Sequence, residues 1–586
     1  MPEGKTRPIV DTTRLIRIDL RLLQPPSFIV KAPGSTVPAI LSVAIALYAP
    51  LTMRFQMTTY SAVSPVTDRE AQDRLVLDIG EGERWWGGSA GDGVVMPFGD
   101  RSFVRNLGMP DGYGREDARP SSQSAPLLLS THGRLVWSDS PFTFSINHGR
   151  LTVEGSNLVV RQSGNSLREA FLAASREFFP ASGSAPATEL FAGPQYNSWI
   201  EQPYKPTQES VLRYVRTLLD SGMPPGVVII DDSWAPDYGT WYFDEARFPD
   251  PAAMTSTLHS WGCSVMLWLV PFVSPDSAAF RHLEKKGLLI RSSDGKTAVR
   301  RWWNGLSALL DLTHPEAVNW LTNQLDDLVD RMGVDGFKFD GGDIRDYRAN
   351  DITHFPAEPV EMCERWSRIG LRYRFNEYRA CWRMGGQPLG QRLQDKPPAW
   401  SSEGIGSLIP EMLAQGMIGH PFTCPDMIGG GEIEAMTRQA GVDQEFFVRY
   451  AQIAALSPMM QFSVSPARVL QGEYLEAVQA AMEVRAVLLP TILQLVNEAA
   501  ITGEPVIRPM SYHAPGCDDI TDQFFLGPDI IAAPITERGA RTRQVVLPEG
   551  TWHSDLGEVI AGPATVSEGG PLLRIPRFTR GTTTSK

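Results

Sequence analysis

PEAVNWLTNQLDDLVDRMG (residues 315–333), running directly into VDGFKFDGG (residues 334–342), is the stretch on which the fold turns. Its first part carries apolar residues at helical spacing, and its second is a short β-rich run closed by an aspartate and two glycines. The same unit recurs on both sides. Upstream come ELFAGPQY (189–196), the helical PTQESVLRYVRTLLDSG, GVVIIDD (226–232) and SVMLWLVPF (264–272). Downstream come RACWRM (379–384), PLGQRL (388–393), MIGHPFTCPD (417–426) and MMQFSVS (459–465). Eight strand candidates alternating with helices in under 300 residues have the size of a closed (β/α)8 TIM barrel. A doubly wound open sheet competes less well, because no Gly-rich phosphate turn opens the region.

Outside the barrel the rhythm changes. Short apolar runs separated by Gly, Asp, Asn and Ser, such as LVLDI, LLLS, FTFSI and NLVV, predict an N-terminal antiparallel β-sandwich. PASGSAP (180–186) reads as a linker, and the tail beyond Ala500 returns to short strands. The expected division is therefore a sandwich over 1–186, an α/β barrel over 187–498 and a C-terminal β-sheet domain over 499–586. The apolar stretch Pro38 to Pro50 is too short to span a bilayer and is read as a buried strand pair.

The 586 residues include 67 acidic and 54 basic side chains, a net charge of −13, which argues against nucleic acid or an anionic membrane as partner. A small neutral ligand fits better. Five cysteines (Cys263, Cys363, Cys381, Cys424 and Cys517) are scattered singly, so neither a disulfide framework nor a metal centre is expected. With no early apolar leader, the expected setting is the cytoplasm. The oligomeric state is left open, a homo-oligomer included.

In a barrel of this kind reacting groups sit at the C-terminal ends of strands, where the loops converge on one pocket. Those ends read Asp231 and Asp232, Asp340, Arg392 and Asp395, Glu403, and Asp426, interleaved with Trp199, Trp234, Trp268, Trp303 and Trp400. Paired carboxylates amid tryptophans suit sugar chemistry: one carboxylate attacks the anomeric carbon, another moves the proton, and aromatic faces stack on the ring. Gly87-Gly88-Ser89-Ala90-Gly91 matches G-x-S-x-G, but it lies in the sandwich with no strand-turn-helix context and is not read as a nucleophile.

Several motifs carry a family resemblance. IIDDSW (229–234), FDEARFPDPAAM (243–254), RWWNG (301–305), GVDGFKFDGGD (333–343), GHPFTCPDMIGGG (419–431) and the ordered GEPVIRP, DQFFLG and LPEGTW (547–552) resemble glycoside hydrolase family 31. Within that family of retaining α-glycosidases, the sequence is most similar to the myogenesis-regulating, α-galactosidase-like group. The resemblance implies catalysis without cofactor on a small carbohydrate, with a terminal galactose as the expected sugar. An α-glucosidase, α-xylosidase, sulfoquinovosidase, transglycosylase or non-hydrolytic sugar-binding homologue are the alternatives.

Carried over position by position, the family's nucleophile falls on Asp340, with Lys338 beside it favouring the ionised form. The acid/base falls on Glu403, three residues after Trp400 in a W-x-x-acid pattern; Asp395 is the second candidate. Asp231 and Asp232 match the acidic strand end that grips sugar hydroxyls, without indicating which of them points inward. Arg392 and Asp395 resemble an Arg-x-x-Asp that holds hydroxyls, an ordinary ion pair being the other reading. Trp303 is the stacking candidate, and Trp302 is either core or wall. Asp426 reads equally as a loop-fixing residue. Where family α-glucosidases carry Arg-Asn-His, this chain reads Gln461-Phe462-Ser463, which favours a sugar other than glucose.

Overall fold

The computed structural model describes residues 72–99, 101–108, 123–432 and 441–581. The strand pair expected at Pro38 to Pro50 lies outside these residues.

The barrel is closed by parallel strands β1 (Gln195–Asn197), β2 (Val227–Ile230), β3 (Ser264–Leu269), β4 (Gly336–Phe339), β5 (Phe375–Tyr378), β6 (Gly390–Arg392), β7 and β8 (Gln461–Phe462). β7 comes in two pieces: Thr423–Cys424 pairs with β6, and Met427–Ile428 pairs with β8. Asp426, with φ +77°, makes the kink between them. Seven of the expected strand runs coincide with barrel strands. The fifth does not. RACWRM supplies Cys381–Trp382, which leaves the barrel and pairs with Gln123–Ser130 of the N-terminal sheet. The true β5 is the preceding FNEY: Glu377 faces the polar barrel interior, and Asn376 on the other face donates to the main-chain carbonyls of Tyr373 and Pro388, so both hide the strand from an apolar pattern.

Register then sets the chemistry. Trp268 lies level with Lys338, and Lys338 level with Glu377, on adjacent strands. Alternate residues of a strand share a face, so Lys338 and Asp340 both turn into the barrel mouth.

In the N-terminal sandwich the long strand Arg150–Gln162 pairs at its start with Gln72–Asp78 and Thr143–Asn147, and at its end with Arg134–Trp137. The C-terminal domain is a six-stranded antiparallel sheet. Between barrel and C-terminal sheet runs the helix Glu473–Thr502, long and apolar enough to cross a membrane by composition. Its buried Arg485, however, donates to the main-chain carbonyls of Phe191, Ala455, Ser457 and Pro458, which ties it to the barrel core.

Candidate active site

A cavity of about 440 Å³ opens at the C-terminal ends of the barrel strands. Its walls include Asp231, Asp232, Lys338, Asp340, Arg379 and Asp395, with Trp199, Trp268 and Trp303 among them. Trp234 and Trp400 are not on this wall.

Asp340 follows β4 and is held by three donors. Arg379 Nε reaches Oδ1 at 2.7 Å, the Gly341 N–H reaches the same oxygen at 2.9 Å, and Trp268 Nε1 reaches Oδ2 at 2.9 Å. Burial alone raises this carboxyl, but Arg379, Arg392 and Lys338 outweigh it and hold Asp340 well below the usual carboxylate range. It is a permanently ionised carboxylate at the pocket wall. Arg379 is in turn oriented by Asp343, which takes its other two nitrogens at 3.3 and 2.9 Å.

Asp231 and Asp232 both reach the cavity, in different states. Asp231 Oδ2 accepts from Lys338 Nζ at 2.7 Å and from Asn197 Nδ2 at 2.9 Å, and its Oδ1 accepts from the Asp232 N–H. Its oxygens are committed. Lys338 thus serves Asp231 directly and Asp340 through its field; burial lowers the ammonium's pKa, but Asp231 outweighs this and keeps it charged. Asp232 accepts from Tyr238 Oη at 3.0 Å and Asn304 Nδ2 at 2.6 Å. Burial and the Asp231 charge push Asp232 up to about 7 despite those donors.

At the end of β6, Arg392 Nη1 donates to Asp395 at 2.6 Å and to Asp426 at 2.7 Å. Asp426 also accepts from the Lys396 N–H, so it fixes the loop that carries Asp395 and does not line the cavity. Arg392 is likewise buried behind the wall, bracing Asp395. Asp395 is partly open to the pocket, its side chain 43% exposed.

Glu403 lies elsewhere. It is exposed in the turn before the helix Ile405–Met417, and it is not on the cavity wall. The cause is the path of the loop: Trp400 Nε1 donates to Asp443, and its ring packs edge-on against Phe446. This pins Trp400 against the helix Gln444–Ala455, and the chain turns outward behind it. The structure therefore brings Asp395, not Glu403, to the pocket that holds Asp340.

Trp303 is 39% exposed on the wall, with the Arg379 guanidinium 5.3 Å from its ring centroid. Trp302 is core, stacked on Phe272 at 4.2 Å. Gln461 of β8 is turned into the barrel, where its Nε2 donates to Glu377 and Gln195. Sequence reasoning missed Arg379, Asn304 and Tyr204. A charged residue directly after FNEY was the available signal for Arg379, obscured once the strand was placed one run too late.

Residues 191–367 match the glycosyl hydrolases family 31 TIM-barrel domain, and residues 503–583 match the glycosyl hydrolase family 31 C-terminal domain. These two segments are glycosyl hydrolase family 31 domains. Myogenesis-regulating glycosidase of Mus musculus is 34% identical over 396 residues, covering 66% of this chain and 55% of the mouse protein. An α-xylosidase of Lactiplantibacillus pentosus is 25% identical, covering 81% of this chain and 65% of its own. This chain thus spans little more than half to two thirds of these relatives' lengths. Among solved structures, a family 31 sulfoquinovosidase from E. rectale, in complex with an aza-sugar inhibitor, superposes with a TM-score of 0.74 at 18% identity. That match covers 87% of this chain and 83% of the other. A Flavobacterium johnsoniae family 31 dextranase complexed with glucose gives 0.74 at 18%, covering 88% and 67%. These structural likenesses establish the fold.

Proposed function

We propose that this chain is a retaining α-glycosidase of glycosyl hydrolase family 31 with Asp340 as nucleophile and Asp395 as acid/base. The observation that carries the reading is the sharing of one sugar-sized cavity by an ionised, triply held Asp340 and the partly open Asp395. In the first step Asp340 attacks the anomeric carbon while Asp395 gives its proton to the departing oxygen. In the second, Asp395 takes a proton from water, whose oxygen displaces Asp340 from the sugar. Trp268 and Arg379 hold the attacking carboxylate in one orientation, so little reorganisation is needed as its charge moves to the new bond. Asp232 grips hydroxyls remote from the scissile bond, and Trp303 offers an aromatic face.

For the sugar we propose galactose, in a reducing cytoplasmic setting. Support comes from the resemblance to the α-galactosidase-like group and from Gln461, which is withdrawn into the barrel and leaves β8 without a donor on the cavity wall.

The test is a panel of aryl α-glycosides with wild type, Asp395→Ala and Glu403→Gln. The expected result is fastest turnover of the galactoside, near wild-type rates for Glu403→Gln, and a loss for Asp395→Ala that is largest on poor leaving groups. Azide should rescue Asp395→Ala on the activated substrate and give the α-glycosyl azide. Wild-type behaviour of Asp395→Ala with a crippled Glu403→Gln would return the acid role to Glu403.

A further inference from the structure

A second cavity of about 440 Å³ lies beside the first and shares Tyr204 and Trp268 with it. The chain passes from one to the other in a single step. Asp231 and Asp232 face the first cavity, whereas Ser233 to Tyr238 line the second, and Ser233 takes a left-handed φ of +70° at the boundary. A hydrogen-bonded network runs along their boundary. Tyr204 Oη donates to Asn304 Oδ1 at 2.9 Å, Asn304 Nδ2 reaches Asp232 at 2.6 Å and Tyr238 Oη at 2.9 Å, and Tyr238 Oη donates to Asp232.

Resting on the glycosidase reading above, we propose that this second cavity binds a further neutral sugar unit, attached to the first sugar on the side away from the scissile bond. The side follows from barrel geometry. Asp395 stands at the end of β6, and the second cavity is built on the loops after β1, β2 and β3, with that after β2 supplying most of the wall. In a ring of eight strands β2 is diametrically opposite β6. The leaving group must lie by the proton donor, so the second cavity faces the opposite end of the bound sugar, the end gripped by Asp232. The class of ligand follows from the walls. Trp241, Tyr238 and Tyr204 offer aromatic surface, Ser233 and Asp237 offer partners for hydroxyls, and of the two cations on the wall Arg247 is paired with Asp244 while Lys205 is exposed to solvent. Aromatic faces with a few polar groups suit a pyranose ring rather than an anion.

The site would then release an intact disaccharide in place of a single terminal sugar. The experiment uses the full chain with 4-nitrophenyl α-galactoside and the 4-nitrophenyl glycosides of the α-1→4 and α-1→6 disaccharides built on it. Products are resolved by chromatography. The expected result is release of nitrophenol together with intact disaccharide from at least one of the two, with kcat/KM about 10-fold or more above that of the monosaccharide glycoside. Ala235→Leu, which fills the second cavity, should abolish that advantage and leave the monosaccharide rate within about 2-fold. Asp237→Ala should reduce the advantage without loss of fold. Cleavage of the monosaccharide glycoside alone, or stepwise removal of the terminal sugar before nitrophenol, would overturn the inference and leave the glycosidase reading standing. Absence of cleavage on all three compounds and on the aryl glycoside panel would overturn both.

Discussion

At the scale of single residues, the place of Asp340 was legible because an aspartate closing a short apolar strand lands on the barrel mouth wherever the helices pack. The place of Glu403 was not. Glu403 and Asp395 sit in the same loop, and the contact that turns one outward, Trp400 to Asp443, spans more than 40 positions of sequence. No local pattern encodes it. Asp232 gives the residue scale its sharpest test. Its carboxyl is raised to about 7 by burial and by Asp231, so the folded protein keeps a proton that the unfolded chain releases from about pH 4 upward. The stabilising effect of that retained proton is present at low pH and is lost as pH rises towards 7. Asp346 and Asp426 are raised to about the same value and add the same slope, so the informative quantity is the difference between wild type and Asp232→Asn. That variant should gain thermal midpoint relative to wild type at pH 8 compared with pH 5. A difference that is flat across that range would remove the buried-proton assignment. Because a hydrogen bond to a charged group is worth about 1.5–3 kcal/mol, the same variant, assayed at pH 8 where Asp232 is ionised, should lose on the order of 10- to 100-fold in kcat/KM.

At the scale of elements, the loop after β4 shows how packing positions Asp340. Gly342 has φ +69°, and a Cβ there would meet Trp366 Cδ1 at 2.5 Å. Trp366 cannot yield easily, since it is fully buried, edge-on to Phe339 and close to Tyr378. Gly342→Ala should therefore shift the Asp340 loop while the barrel stays folded. A displacement of about 1 Å costs roughly 10²-fold in rate, to be read as kcat/KM with near-ultraviolet circular dichroism as the control for fold. Unchanged turnover would show that the loop is not held by this contact. The glycine pair was visible in the sequence, but its reason was not, because Trp366 approaches from a separate helix, Pro359–Ile369. The fifth strand fails for a related cause. A barrel interior that stores Lys338, Glu377 and Gln461 needs polar residues on its strands, and FNEY then reads as a weaker strand than RACWRM.

At the scale of the whole molecule, the domains share the work of building the pocket. Arg379 lies two residues before Cys381, whose strand completes the N-terminal sheet beside Gln123. The sandwich thus fixes the segment that carries the guanidinium on Asp340. On the far side, Arg485 binds the long helix to the barrel through four main-chain carbonyls. Replacing it by leucine strands those acceptors in the core, a loss of about 3 kcal/mol, and should lower the thermal midpoint while the kcat of surviving enzyme stays near wild type. A midpoint equal to wild type would mean that the helix is held by its apolar face alone. The barrel, the N-terminal β-sheet region and the C-terminal sheet were legible as kinds of fold, since each has its own hydrophobic period. Their joints were hidden, because a two-residue strand and one buried arginine carry no periodic signal.

The most direct measurement of the chemistry is covalent trapping. The intact protein is incubated with an activated 5-fluoro α-glycosyl fluoride, digested with pepsin, and the peptides are sequenced by mass spectrometry. The expected result is one added fluoroglycosyl group on the peptide containing Phe339-Asp340-Gly341, and no label in Asp340→Asn. A group attached to Asp395, Asp231 or Asp232, or steady turnover with no covalent adduct and an inverted product, would contradict Asp340 as the nucleophile.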